Sequence, residues 1–251
     1  MTNRRMMLIA ALASLAAPLS AQTVPQPLLV QVARVNVKPD RVQEWLEIEK
    51  QYSEAYKKGG GTFRYVYRNS AGNPFEYMVT SGVANYANLD EKSPYAKGMT
   101  DGEFARIQAR RNQCVDSVRT TYERTIPELG IQAPAGSVRK IFRVTRIAVR
   151  SGMDDQYLAI MKNEYLPALK KAGVKSLLVR RVEWGGSRNM FTVLGRHDKF
   201  AELDEGSVLT KELGAEGAAK LLAKLRQTIA NSDYSLYTYV PASSYQPPPA
   251  Q

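Results

Sequence analysis

A chain of 251 residues with one cysteine, Cys114, cannot close an internal disulfide. Its stability must therefore come from buried apolar surface. Histidine is as scarce: His197 is the only one, and one His with one Cys cannot furnish a usual zinc or iron site. No acidic cluster has the spacing of a calcium loop, so no metal is expected. The triplet Gly59-Gly60-Gly61 stands between a helical pattern and a strand pattern. That is the reverse of the context a phosphate-binding loop needs. Cys114 lies in a helical pattern near Ile107 and Val115 and reads as a small buried side chain. A nucleophilic role would need a nearby base, and His197 is far along the chain.

Residues 1–21 carry the marks of an export signal. Arg4 and Arg5 are followed by an apolar run from Met6 to Ala17, and Leu19-Ser20-Ala21 offers a small-residue cleavage site. No later stretch approaches the ~20 apolar residues of a membrane span. The expectation is a periplasmic or secreted protein cleaved near Ala21, with no membrane span in the mature chain. The formal charge of +11 falls to +9 when the two leader arginines are removed. The remaining charges come as scattered pairs, among them Arg110-Arg111 and Arg180-Arg181, with acids between them. Such a pattern reads as a solvated basic surface, and nucleic acid is not expected as a partner.

What the sequence does hold is a duplication. The stretch Val30–Trp45 returns in the second half as Phe142–Tyr157, with Val32 on Val144, Arg34 on Arg146, Val37 on Val149 and Leu46 on Leu158. Each copy reads as strand, helix, strand, strand, helix, strand. In the first copy these are Leu28–Val37, Arg41–Lys58 capped by Asp40, Thr62–Arg68, Phe75–Thr80, Gly102–Val115 and a strand from Val118 to Ile126. The second runs Val138–Val149, Asp154–Lys171 with Pro167 bending its last turn, Lys175–Trp184, Met190–Leu194, Leu209–Ala230 and Tyr234–Val240. Later pairs such as Ile126-Pro127 and Val240-Pro241 are spaced slightly wider than the early ones, a drift expected from small insertions in turns.

The fold class predicted is α+β, with two tandem ferredoxin-like βαββαβ units. Their boundaries are a lead-in at 22–27, a first unit at 28–130, a linker at 131–136, a second unit at 137–242 and a disordered proline-rich tail at 243–251. Helices cover one face of each sheet, and apolar residues on both faces of strands such as Leu29–Val35 require a second cover. Pairing the two antiparallel sheets in one barrel supplies it. On this element order and repeat pairing, residues 28 to 242 resemble the dimeric α/β-barrel superfamily, in particular antibiotic biosynthesis monooxygenase-like and NIPSNAP-like proteins, fused in tandem.

That resemblance implies a ligand between sheet and helices of one unit. Phe63, Tyr65, Tyr67, Phe75 and Tyr77 alternate along two strands and are expected to share one face, matched in the second unit by Leu177, Val179, Arg181, Met190 and Thr192. Such a wall could hold a flat ring. Arg34 and Arg146 are candidates for an anion, or for ion pairs with Glu76, Asp90, Glu183 or Asp204. His197, placed in a polar loop, is a candidate base or ligand residue. The resemblance extends to haem-degrading oxygenases, whose asparagine, tryptophan and histidine it would place at Asn36, Trp184 and His197, but these are split between the repeats, and no cofactor is expected. No catalytic residue is assigned. The leading reading is an exported protein that binds a small aromatic or anionic molecule. A cofactor-independent monooxygenase-like enzyme and a non-catalytic structural or interaction module are the alternatives. The second unit, lacking the tyrosines, is expected to have the smaller pocket, and assembly into a homo-oligomer is left open.

Overall fold

The computed structural model describes residues 29–134 and 140–247. The signal segment, the lead-in with Leu28, residues 135–139 across the linker and the start of the second unit, and the last four residues lie outside these. Eight strands close into one antiparallel barrel in the order β1-β3-β2-β8-β5-β7-β6-β4. The first unit supplies β1 (Leu29–Val37), β2 (Arg64–Asn69), β3 (Glu76–Val83) and β4 (Val115–Thr125), with helices α1 (Val42–Lys58), α2 (Pro94–Lys97) and α3 (Asp101–Gln113). The second supplies β5 (Ile141–Val149), β6 (Leu177–Trp184), β7 (Met190–His197) and β8 (Ile229–Tyr239), with α4 (Asp154–Ile160), α5 (Leu166–Lys171) and α6 (Val208–Thr228). Two seams join the units, β2 to β8 and β4 to β6.

Three cores follow from the period-two alternation of strands. Val35, Val37, Val66, Tyr77 and Val79 pack with Trp45, Ile48 and Ile107 beneath the helices of the first unit. Ile147, Val149, Val179 and Phe191 do the same with Tyr157, Leu166 and Leu221 in the second. A third cluster contains no helix residue: Val30, Val32, Phe63, Tyr65, Tyr67, Met78, Phe142, Val144, Leu194 and Tyr237 fill the barrel.

The register of the ladders aligns the two units residue by residue. Arg34 opposes Met78, as Arg146 opposes Thr192. Tyr67 opposes Met78, as Arg180 opposes Thr192. The spacing between copies thus grows by one position from the first strands to the second, and by one more from the second to the third. Only the later step lies in a turn, between the hairpin strands. The earlier one lies inside a helix, where residues Met161–Tyr165 form a π turn between α4 and α5. Pro167 supplies the cause. It has no N–H to donate, and its ring would press on the carbonyl of Asn163 four residues back, so the helix widens by one residue just before it.

The opening of α1 also differs from expectation. Asp40 belongs to a 3-10 turn, Pro39–Arg41, and the helix begins after Arg41 with no side-chain cap. The tail is docked where it is described. Pro241–Ser243 form a 3-10 turn, and Tyr245 pairs with Arg64 by two backbone hydrogen bonds of 2.8 and 2.6 Å. The end of the first unit repeats this, with a 3-10 turn at Pro127–Leu129 and Ile131 paired with Leu177. Each unit therefore ends by clasping the edge of the other, and the boundaries at 131 and 243 cut through these clasps.

One clasp closes on a buried ion network. Arg64, 2% exposed, meets Glu49, which is fully buried, in an ion pair. Its guanidinium also donates to Ser53 Oγ at 2.7 Å, to the carbonyls of Glu49 and Ser243 at 3.3 and 3.1 Å, and to Tyr95 Oη at 3.1 Å. Arg111 Nε donates to the other oxygen of Glu49 at 2.7 Å. The equivalent positions in the second unit are Met161, Leu177 and Leu225, all buried in its core. Removing one charge from such a network strands the others, at a cost of ~3–5 kcal/mol. Glu49→Ala should lose about that much in urea unfolding. Copying the second unit with Glu49→Met, Arg64→Leu and Arg111→Leu together should recover a large part of the loss.

Candidate functional site

The predicted aromatic wall is divided between two layers. Because Tyr67 opposes Met78, odd positions of β2 share a face with even positions of β3. Phe63, Tyr65 and Tyr67 therefore point into the barrel, while Tyr77 lies under the helices with its ring 4.5 Å from that of Trp45. Phe75 precedes β3. The turn sets this register, and alternation within a single strand does not report it. For the same reason the positions matching Tyr65 and Tyr67 are Leu178 and Arg180, not Leu177 and Arg181. Inside the barrel the rings serve one another: Phe63 stacks on Tyr65 at 4.9 Å, and Tyr67 meets Phe142 at 5.2 Å and Tyr239 at 5.7 Å.

Arg34 and Arg146 share the barrel interior, on strands that run in the same direction. Each has an acid, but not one of those expected. Glu123, 1% exposed, lies 4.0 Å from Arg34, and Arg146 pairs with Asp233 on β8. Burial, then the charge of Arg146, lowers the pKa of Arg34 against the pull of Glu123. Glu76 accepts from Tyr237 Oη, and burial, reinforced by that bond, raises the phenol's pKa.

His197 is not in a loop. Pairing of Arg143, Phe142 and Ile141 with Gly195, Arg196 and His197 carries β7 three residues further than expected. The imidazole is mostly buried, with Nδ1 3.4 Å from Glu202. Asn36 is near the last residue of β1, whereas His197 faces the first residue of β5. These are opposite ends of the barrel, so Asn36 and His197 do not meet. Trp184 is 63% exposed at the end of β6.

The larger described cleft lies elsewhere, outside the β4/β6 seam, with a volume of about 540 Å³. Ile126 and Leu129 from the first unit and Leu158, Ala159 and Val182 from the second give it an apolar floor. Around them stand Arg124, Lys162, Arg181 and Arg188, with Glu128 and Glu183 as the only lining acids among the described residues. Arg124 grips Glu183 with two nitrogens, one at 2.9 Å. This hydrogen bond, first among several causes, holds the Glu183 carboxyl below its usual range. Arg181 donates to Asp154 at 3.0 Å and to the Arg188 carbonyl at 2.7 Å. Tyr86 of the first unit donates to Glu183 and accepts from Trp184 Nε1 at 3.0 Å, which ties the rim across the seam. Gly185 makes that approach feasible: its φ is +82°, and a Cβ there would stand 2.2 Å from the Thr120 carbonyl oxygen. A smaller cleft of about 380 Å³ occupies the equivalent place on the β2/β8 seam, lined by Arg68, Asn69, Ser70 and Thr238 among others. Both clefts are lined by residues of the two units, so neither is the pocket of a single unit that the sequence comparison of the tyrosines concerned.

No protein-family model matches the chain, and no curated protein matches its sequence. Solved structures do. An anthrone oxidase-like protein superposes with a TM-score of 0.62 at 12% identity, over 87% of this chain and 93% of its own. A monooxygenase candidate from Fusobacterium nucleatum gives 0.59 at 12% identity, over 84% and 91% of the two chains. Another, from Lactobacillus acidophilus NCFM, gives 0.58 at 7% identity, over 84% and 93%. The chain has the dimeric α/β-barrel fold. At these identities the likeness carries the architecture alone. As a dimeric α/β barrel it builds both halves from one polypeptide, and its neighbours span nearly their whole length on it.

The cleft residues Arg124, Lys162, Arg181 and Arg188 are not legible in the sequence as a site. A signal is nonetheless present: arginines at 180 and 181 and an acid at 183 fall in a strand pattern that should be half-buried, and so do not belong to a solvated surface. Arg180 is 6% exposed and Arg111 is bound to the buried Glu49.

His197 provides a test of burial at the barrel end. Its pKa is lowered by burial first and by Arg143 second, against Glu202 and Asp198. The unfolded chain then takes up the proton more readily, so this contribution to stability is present above the unfolded pKa near 6.5 and is lost as pH falls below it and through the lowered folded pKa. His197→Gln should flatten the decline of the urea midpoint between about pH 7 and about pH 5. An unchanged decline would show that the imidazole is not the group that titrates.

Proposed function

We propose that this chain is an exported ligand-binding protein that takes up a small anionic molecule in the cleft on the β4/β6 seam. The observation that carries the reading is the cleft itself. Its volume is of drug-sized-ligand scale, its floor is apolar, and four cationic side chains stand over two acidic ones. It lies between sheet and helix, where the sequence pointed to a ligand, but at the edge of the second unit and bordered by the 3-10 turn of the first. Export is supported by Arg4, Arg5 and the apolar run that follows them. The aromatic side chains named from sequence contribute to the core and not to this cleft. The oxidase-like and monooxygenase names of the structural neighbours belong to those proteins, and no reaction is carried over from them.

Native mass spectrometry of the chain recovered from its host's exported fraction tests both parts. A mass beginning at Gln22 is expected, together with a defined adduct. Ala159→Trp, an exposed position on α4 that faces the cleft, should abolish the adduct and leave the fold intact by circular dichroism. An adduct that survives this substitution places the ligand elsewhere, and a bare mass in both proteins removes the binding reading.

A further inference from the structure

The arrangement of charge within the cleft says more than that an anion fits. Two of its four cations are already engaged: Arg124 by Glu183, and Arg181 by Asp154. The side chains of Lys162 and Arg188 make no ion pair among the described residues, although the charge of Arg188 reaches Glu183, and both are exposed. Their backbones stand at two ends of the floor, as the contacts of Arg188 and the helix position of Lys162 show. Arg188 is tied through its carbonyl to Arg181, which reaches Asp154 at the first residue of α4. Lys162 is eight residues further along, in the π turn. At ~1.5 Å per residue the backbones at the two ends are on the order of 12 Å apart. Leu158, Ala159, Ile126 and Val182 occupy the floor between them. The remaining lining acid, Glu128, is exposed and without an ion pair among the described residues, on the 3-10 turn of the first unit.

We infer that the ligand class of this cleft is a two-headed anion, an apolar body with an anionic group at each end, one held by Arg188 and the other by Lys162. The inference rests on the proposed use of this cleft for an anion. A single-headed anion would leave one of the two cations without a partner and bring its apolar end against that charge. The extra residue of the π turn contributes directly, because it turns Lys162 and Asn163 together toward the cleft on the helix that Pro167 widens. Arg188 can grip a carboxylate or phosphate with two nitrogens, whereas Lys162 acts as a point charge. The two ends are therefore not equivalent, and an asymmetric ligand would bind in one orientation.

Azelate and nonanoate have chains of one length and differ in the second carboxylate. Titration calorimetry on the full mature chain should show azelate binding about fivefold to tenfold more tightly. Lys162→Ala and Arg188→Ala should each bring azelate down to the level of nonanoate, and Glu128→Gln should strengthen azelate by removing a like charge. Equal affinity for the two acids, no binding of either, or a preference for azelate that survives both substitutions would overturn the inference. Ala159→Trp separates this from the broader reading. If both acids bind equally and lose affinity in that variant, the cleft is an anion site but not a two-headed one. If neither loses affinity, the cleft is not the site.

Discussion

The buried network of Glu49 with Arg64 and Arg111 is the constraint that fixes the geometry of the first unit and of its junction with the end of the second. Arg64 lies on β2, Glu49 and Ser53 on α1, Arg111 on α3, Tyr95 on α2, and the Ser243 carbonyl on the segment that ends the second unit. One guanidinium thus fixes a sheet edge, two helices and the far end of the chain, and Glu49 ties in a third helix through Arg111. Burying three charges is costly unless every donor and acceptor is met, and here the oxygens of Glu49 each have an arginine. The second unit reaches the same topology with Met161, Leu177 and Leu225 at the matching places. Two solutions to one packing problem therefore stand side by side in one molecule. The apolar version shows that the fold does not require the charges. The charged version fixes geometry more narrowly, because a guanidinium bonded on every side tolerates one arrangement and a methionine tolerates many.

The same comparison explains where the cleft lies. In the first unit the helix running over its seam is regular, and the docked tail, through Ser243 Oγ to the Leu46 carbonyl at 3.1 Å, presses against it. In the second unit the helix is interrupted by the π turn, which adds one residue over the β4/β6 seam. The local cause is a backbone one, the missing N–H and the ring of Pro167. Its consequence is a wider space bounded by residues of both units.

How much of this can be read from sequence depends on whether the signal is local or shared across strands. The duplication is legible because Val32, Arg34 and Val37 recur with their spacing intact in Val144, Arg146 and Val149, and burial on both faces of the strands demands a second sheet. The distribution of aromatic residues between layers is not legible. Tyr67 and Tyr77 look alike along the chain, yet the turn between them puts one inside the barrel and the other against Trp45. The network escapes for a related reason, since Glu49 and Arg111 resemble ordinary helical surface charges until the register of β2 brings Arg64 beneath them. His197 reads as a loop residue because its strand is extended only by pairing with β5, at Ile141, in a distant part of the chain.

Fusion of the two units has a physical consequence that a homodimer of single units could not have. In a symmetric dimer both seams are copies of one surface, so a substitution that opens one opens the other. Here the positions matching Arg124 and Arg181 are Thr238 and Arg68, and the clefts that contain them have volumes of about 540 and 380 Å³. One seam is free to be tightened by the tail and the Arg64 network while the other is widened. Stability and binding make opposite demands on packing, and the duplicated chain answers them at different seams of a single barrel.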